Sequence, residues 1–338
     1  MIVLLAMSAA SAKSWCAAKV VAHEWGVAVL QPQGGLVLPT ELPLWFERSG
    51  VEPTTAPRVR ELPADNGVRT LPVVQFWRGD TRTGPVPVGV TVGFTLGTAA
   101  VWFPPVDALA LHTPEAQLTW DALTLDATAT GALGPVGGSP WVQALRDAPG
   151  ALWVNRGGDS ERFLFYEGRT REEPAVVATF EGGAWWVRNR SDWAVHDVWL
   201  VRDGRRGHAG SLAPGARVAV TLDAPIDATW GAEVRSGWVT AQPVLADGPW
   251  HGDDCVMQRD PAVPVTHTAG YALYPSEVDA MLGVWGPRLF GPRDHLLYRE
   301  DPAALDAVMP VSLYTDMRHW LEWRRLGVVL VEDAAHGG

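Results

Sequence analysis

Lysine is almost absent from this chain. Of its 27 basic residues only two, Lys13 and Lys19, are lysine. Asp and Glu number 38, which leaves a formal net charge of −11. An acidic chain with no basic run is unsuited to nucleic acid or to an anionic membrane surface. Charged residues are only 19% of the total, whereas hydrophobic residues make up 47%. That balance describes a folded chain without a disordered tract. Long apolar runs are missing too. No stretch approaches the ~18 apolar residues of a transmembrane helix, so no integral membrane segment is expected. There is no G-x-S-x-G, no P-loop, no dinucleotide-binding glycine motif and no C-x-x-C. The familiar nucleophile-elbow, nucleotide and dithiol chemistries therefore have no foothold in the sequence.

Cysteine is scarce as well, with Cys16 and Cys255 alone among 338 residues. Residues 1–12 resemble an export signal: Ile2 to Met7 are apolar and Ala10-Ser11-Ala12 fits the A-x-A cleavage pattern, although a basic start is lacking. This predicts a signal peptide over 1–12 and a periplasmic or secreted mature chain starting near Lys13. The alternative is a buried N-terminal strand. In an oxidising compartment Cys16 and Cys255 are expected to form a disulfide. Closing so long a loop is worth about 4–5 kcal/mol in the chain-entropy model. The alternative is two unpaired buried thiols.

Tryptophan, by contrast, is plentiful. Eighteen are present, and most fall in segments that read as strands. A tryptophan can fill a core or lie flat as a stacking platform. Val88 to Gly97 alternates apolar residues with glycine and threonine, the period of a half-buried strand. Its smooth second face predicts close packing within the sheet, or the approach of a ligand. Leu71 to Trp77, Ala99 to Phe103 and Leu118 to Leu125 read as neighbouring strands. The last of these slips phase before Leu123, which predicts a bulge. Gly131 to Pro140 reads as a loop. Strands follow at Arg162–Glu167, Ala175–Phe180, Ala184–Asn189, Val195–Val201 and Arg217–Leu222. Trp185 and Trp186 are adjacent and so point to opposite faces.

Short strands at this spacing predict a mainly β chain built of Greek-key or Ig-like β-sandwich units. Beyond about residue 240 the texture changes to a small α+β region. Pro275 to Trp285 reads as a helix that Gly286-Pro287 ends. His295 to Arg299, Val308 to Leu313 and Val328 to Val331 read as strands. A second helix is expected from a Thr315 cap through Leu326. The domain reading is an N-terminal β-rich domain over 13–130, an Ig-like unit over 150–240 and an α+β region over 255–338.

Three places carry candidate chemistry. His23-Glu24 pairs an imidazole with a carboxylate, the makings of a metal ligand and an acid/base. The spacing is not that of a zincin, because a second histidine four positions on is missing. On a strand the two side chains would point apart. His251-Gly252-Asp253-Asp254-Cys255 places one histidine and two carboxylates in a loop whose oxygen ligands suit calcium. A divalent cation is thus the one cofactor this reading admits. Tyr166 and Glu167, at the end of an apolar strand, could hold a sugar or supply an acid.

His23-Glu24-Trp25-Gly26 resembles the start of a group of uncharacterised secreted bacterial proteins of planctomycetes and myxobacteria. Arg162 to Gly168 is similar to that group's Phe-Tyr-Arg-Gly-like segment, with Glu167 in place of the usual base. Tyr271 to Trp285 is similar to its Gly-Leu-Tyr-Pro-x-Glu helix and the tryptophan after it. Leu296 to Leu313 is similar to its Leu-Tyr strand and the Asp-x-x-x-Pro segment that follows. In the group the first cysteine often adjoins the histidine, whereas Cys16 here stands apart from His23. The resemblance spans most of the chain, implies secretion and brings no activity with it.

The leading expectation is a non-catalytic secreted or periplasmic binding protein. Its exposed aromatics would contact a glycan or an envelope or extracellular protein, with Trp25, Tyr166, Glu167, Trp185 and Trp186 as binding residues. The rival is an exported metal-dependent hydrolase with a cation near His23 and Glu24 or near His251, Asp253 and Asp254. A third expectation is a scaffold with its tryptophans buried. The readings differ in what they require: exposed tryptophans on one concave face, carboxylates and histidines in a deep pocket, or neither.

Overall fold

The computed structural model describes residues 18–31, 42–49, 67–80, 84–95, 97–110, 116–170, 172–242, 265–266, 268–315 and 319–332. The expected signal peptide and Cys16, His251, Asp253, Asp254 and Cys255 lie outside these residues. In chain order the first strands are β1 (Ala18–Leu30), β2 (Glu47–Arg48), β3 (Gly67–Arg78), β4 (Val86–Phe94), β5 (Gly97–Phe103), β6 (Ala108–Ala110) and β7 (Ala116–Asp126). Helix α1 (Pro140–Arg146) precedes β8 (Trp153–Arg156), β9 (Asp159–Glu161), β10 (Leu164–Thr170), β11 (Val176–Glu181) and β12 (Ala184–Asn189). Then come β13 (Val195–Arg202), β14 (Arg205–Leu212), β15 (Arg217–Val220), β16 (Ala224–Pro225), α2 (Ala228–Trp238) and α3 (Pro275–Leu289). The chain closes with β17 (His295–Glu300), α4 (Pro302–Val308), β18 (Val311–Thr315) and β19 (His319–Glu332).

The fold is mainly β, of sandwich type, with a small α+β part near its C-terminal end. Its centre is a ten-stranded sheet in the order β16-β14-β13-β17-β19-β1-β3-β10-β5-β2. Strands from each of the segments 13–130, 150–240 and 255–338 join it. The expected domain boundaries therefore do not follow the layers. β1 sits mid-sheet, parallel to β19 on one side and antiparallel to β3 on the other.

Both faces of the central sheet are covered. On one, Trp25, Val27 and Val29 of β1 and Leu326, Val328 and Leu330 of β19 pack with α1, α2 and α3. On the other, two smaller sheets lie side by side. The six-stranded sheet β18-β4-β7-β8-β9, with β6 on β7, covers Val20, Ala22, Leu321 and Trp323. The three-stranded sheet β11-β12-β15 covers Ala28, Leu30, Val329 and Val331. Double coverage gives the sheet two interiors, and these absorb the indoles. Ten tryptophans among the described residues are buried. Each removes roughly 150–250 Å² from water, about 4–6 kcal/mol by area and an upper bound.

Several local expectations hold. The bulge in β7 is present, since Val88 pairs with Leu123 but Val90 with Trp120. The glycine face of β4 is closely packed: a Cβ on Gly89 would overlap the Tyr314 ring from β18, and one on Gly93 would lie 2.9 Å from Pro310. α3 begins at Pro275 but runs past Pro287 to Leu289. The carbonyl that Pro287 leaves without an amide partner belongs to Gly283, which is exposed.

Others are corrected. The helix expected from Thr315 to Leu326 is not formed: Thr315 ends β18, His319 to Leu326 are the first part of β19, and 316–318 lie outside the described residues. Trp320 and Trp323 have helical spacing, but thirteen residues of parallel pairing with β1 hold the segment extended. α1 and α2 did not register in the sequence reading. α2 nonetheless carries the signal: Asp227 accepts from the Thr229 and Trp230 amides, and Trp230, Val234 and Trp238 are buried at i, i+4 and i+8.

Candidate functional site

Adjacent residues on an extended strand face opposite ways, and β1 uses this to feed two separate buried clusters. His23 faces the helices. Its Nδ1 lies 2.7 Å from Glu277 Oε2 in the first turn of α3, and both side chains are fully buried. Glu277 also accepts from the Tyr274 amide at 2.8 Å and from the Trp77 indole at 3.3 Å. The Tyr274 ring packs against His23 at 4.6 Å and edge-on to Trp77 at 4.9 Å. Burial, then Glu277, pushes the Tyr274 phenol up to about 12. His23 Nε2 and Gln75 Oε1, on facing positions of β1 and β3, have no hydrogen-bond partner among the described residues.

Glu24 faces the smaller sheets. It lies on the same side as Ala22 and Ala28, which belong to the two flanking cores. The seam between those cores is where charge collects. The Tyr166 hydroxyl donates to Glu24 Oε2. Arg325, in register with Glu24 on β19, donates to its other oxygen at 3.0 Å. Arg325 also donates to Asp306 at 2.9 Å and to the Met309 carbonyl at 2.8 Å. Burial opposes the Arg325 charge, but Glu24, Tyr166 and Asp306 more than offset it and its pKa rises. Burial and then the Glu24 charge drive the Tyr166 phenol well above its ordinary value, so it stays a donor.

A second cluster borders the same seam. Arg69 of β3 is clamped between two carboxylates, donating to both oxygens of Glu172 at 2.7 Å and to those of Glu300 at 2.7 and 2.8 Å. Bidentate pairing of this kind is the strong geometry for a buried guanidinium. Gly26 and Gly327, paired between β1 and β19, leave the sheet bare here. A Cβ on Gly327 would come within 2.8 Å of Glu300 Oε2 and 2.9 Å of Leu305. The narrow cleft that remains is lined by Glu24, Gly26, Arg69, Pro72, Leu305 and Gly327, among others, and its free space is about that of one water.

His23 and Glu24 thus share no ligand position. Among the described residues no group of three or more His, Cys, Asp or Glu is arranged to hold a metal ion. The sequence matches no protein-family model and no curated protein. Function must be argued from the residues alone.

The other candidate binding residues separate in the same way. Tyr166 and Glu167 are neighbours on β10 and point apart. Tyr166 joins Glu24, while Glu167 accepts from Thr70 at 2.6 Å and is buried. Burial raises the Glu167 pKa despite that hydrogen bond. Trp25 is fully enclosed in the helix-side core, so it offers no ring face to a ligand. Trp185 and Trp186 are half-buried on the three-stranded sheet. Trp185 packs on Phe180 at 5.2 Å, with the Arg202 guanidinium 5.1 Å from its ring.

Glu277, Arg325, Arg69 and Asp306 are the residues that sequence reasoning missed. Glu277 stood in view as a first-turn acid of α3, with nothing local to couple it to His23. Arg325 stood in a segment read as helix. Distant segments of the chain meet at these clusters: His23 and Glu24 from β1, Tyr166 from β10 and Glu277 from α3.

Proposed function

We propose that the protein is a non-catalytic, secreted or periplasmic binding protein whose contact surface is the three-stranded sheet and its hairpins. The observation that carries this reading is where aromatic rings reach solvent. Among the described residues the exposed Phe, Trp and Tyr side chains are Phe180, at 61%, and Trp193, at 43%. They flank β12 in the chain, and half-buried Trp185 and Trp186 lie between them. The His23 and Glu24 clusters work against the hydrolase alternative. They are buried on opposite faces, and Glu24 has both oxygens engaged by Tyr166 and Arg325. Sugars suit such a surface, because their apolar C–H faces lie on indole rings and neighbouring polar groups take the hydroxyls.

Iodide quenching of tryptophan fluorescence during titration with a panel of polysaccharides tests the reading. Protection on binding, lost in Trp186→Ala, is the expected result. Quenching that no glycan changes, with wild type and variant alike, would overturn the glycan contact. Export is tested by recovering the chain from periplasm or medium with an N-terminus near Lys13. No described helix is long and apolar enough to cross a membrane.

A further inference from the structure

The outer face of the three-stranded sheet holds an arrangement of charge that its packing does not require. Antiparallel pairing sets Arg188 of β12 directly opposite Arg217 of β15. Both side chains are exposed. Like charges directly across a strand pair are destabilising, and this pair sits on a chain of net charge −11. Glu181 forms an ion pair with Arg217. Arg188 has no side-chain partner among the described residues. Trp186, two positions before Arg188, shares the outer face, and the Arg217 guanidinium lies 4.4 Å from its ring centroid. That stacking holds Arg217 in place before any ligand arrives. Thr179, across from Trp186 on β11, adds a half-buried hydroxyl.

We propose that this face binds an anionic polysaccharide, with a uronate ring against Trp186 and its carboxylate held between Arg188 and Arg217. This rests on the binding reading above and assigns its ligand class. Two guanidinium groups beside one indole satisfy both halves of such a sugar. The planar fork matches a carboxylate, and the ring accepts the apolar sugar face. Glu181 already compensates Arg217, so a bound carboxylate supplies the counter-charge that Arg188 lacks in the free surface.

The test is calorimetric titration of the full chain with polygalacturonate, with neutral dextran and with polyglutamate, at low and high salt. Polygalacturonate is expected to bind alone among the three and to weaken as salt rises. Arg188→Gln should weaken it about tenfold or more, the value of one charge-assisted contact. Trp186→Ala should weaken it while Trp186→Phe retains most of the affinity. Dextran binding as tightly as polygalacturonate, and lost in Trp186→Ala, would leave the binding protein standing and overturn the anionic assignment. Polyglutamate binding as tightly as polygalacturonate would overturn the role of the sugar ring. Absence of binding by all three, or affinity for polygalacturonate unchanged in Arg188→Gln, would overturn the inference outright.

Discussion

Glu24 and Arg325 occupy facing positions on parallel neighbours β1 and β19, and the guanidinium donates to the carboxylate at 3.0 Å with both groups out of water. They lie where the six-stranded and three-stranded sheets abut, between two apolar cores. A buried pair of this kind does little for net stability against an apolar replacement, yet removing one partner leaves a stranded charge. The pair therefore fixes the register of β1 against β19 within the central sheet.

Glu24→Ala should destabilise the protein by up to about 3–5 kcal/mol, because buried Arg325 keeps only Asp306 as a carboxylate partner and the Tyr166 hydroxyl loses its acceptor. Tyr166→Phe should cost about 1.5–3 kcal/mol, the range for a hydrogen bond to a charged group. Together they should be non-additive, since both act on one carboxylate. Urea unfolding followed by circular dichroism measures all three variants. Additive losses would show that Tyr166 and Glu24 are not coupled.

Glu277→Ala removes the acceptor for His23, the Tyr274 amide and Trp77 at once. Each buried donor left unpaired costs about 1–3 kcal/mol, so the loss should exceed that of Trp77→Phe alone. Because Trp77 packs at this cluster, its fluorescence should also change. A variant as stable as wild type would mean that the start of α3 does not depend on this carboxylate.

Alkaline pH should unfold the protein before its buried tyrosines titrate normally. Burial leads the causes that raise the Tyr166, Tyr274, Tyr298 and Tyr314 phenols, with Tyr274 reaching about 12. A folded pKa above the unfolded one means that the native state keeps protons the unfolded chain has lost. Stability from these groups is therefore intact below about pH 10 and falls as pH climbs toward the folded values. Tyrosinate absorbance should rise together with loss of circular dichroism. A major tyrosinate signal at pH 10 with the fold intact would contradict the burial.

Gly89→Ala should destabilise by about 1–3 kcal/mol, the usual cost of overpacking. Its Cβ would overlap the Tyr314 ring, and moving that ring breaks the Tyr314 hydrogen bond to Asp121. Gly182→Ala is not a matched control, because Gly182 has φ 61°. Gly158→Ala is one, with ordinary φ and open space. Thermal melts of the two variants should differ accordingly.

Much of the fold was legible where one face of a strand is apolar and the other is not. β4, β7 with its bulge, and β12 follow directly from alternation. β19 was legible only at Val328 to Val331; its first half was not, because both faces are covered and Trp320 and Trp323 mimic helical spacing. Short helices α1 and α2 lay in stretches for which the sequence pattern predicted no element.

The candidate clusters were half legible. Adjacency on a strand dictated that His23 and Glu24 diverge, and likewise Trp185 and Trp186, and Tyr166 and Glu167. Their partners were not, since Glu277 is 254 positions from His23 and Arg325 is 301 from Glu24. Local pattern carries no information about pairing at that separation. Period, composition and the opposition of neighbouring side chains are properties of the chain itself. Which side of β1 faces helices and which faces the two smaller sheets was decided by the strand order of the central sheet. That same order, by covering both faces, turned most of the tryptophans into core and, among the described residues, left exposed rings only at Phe180 and Trp193, on either side of β12.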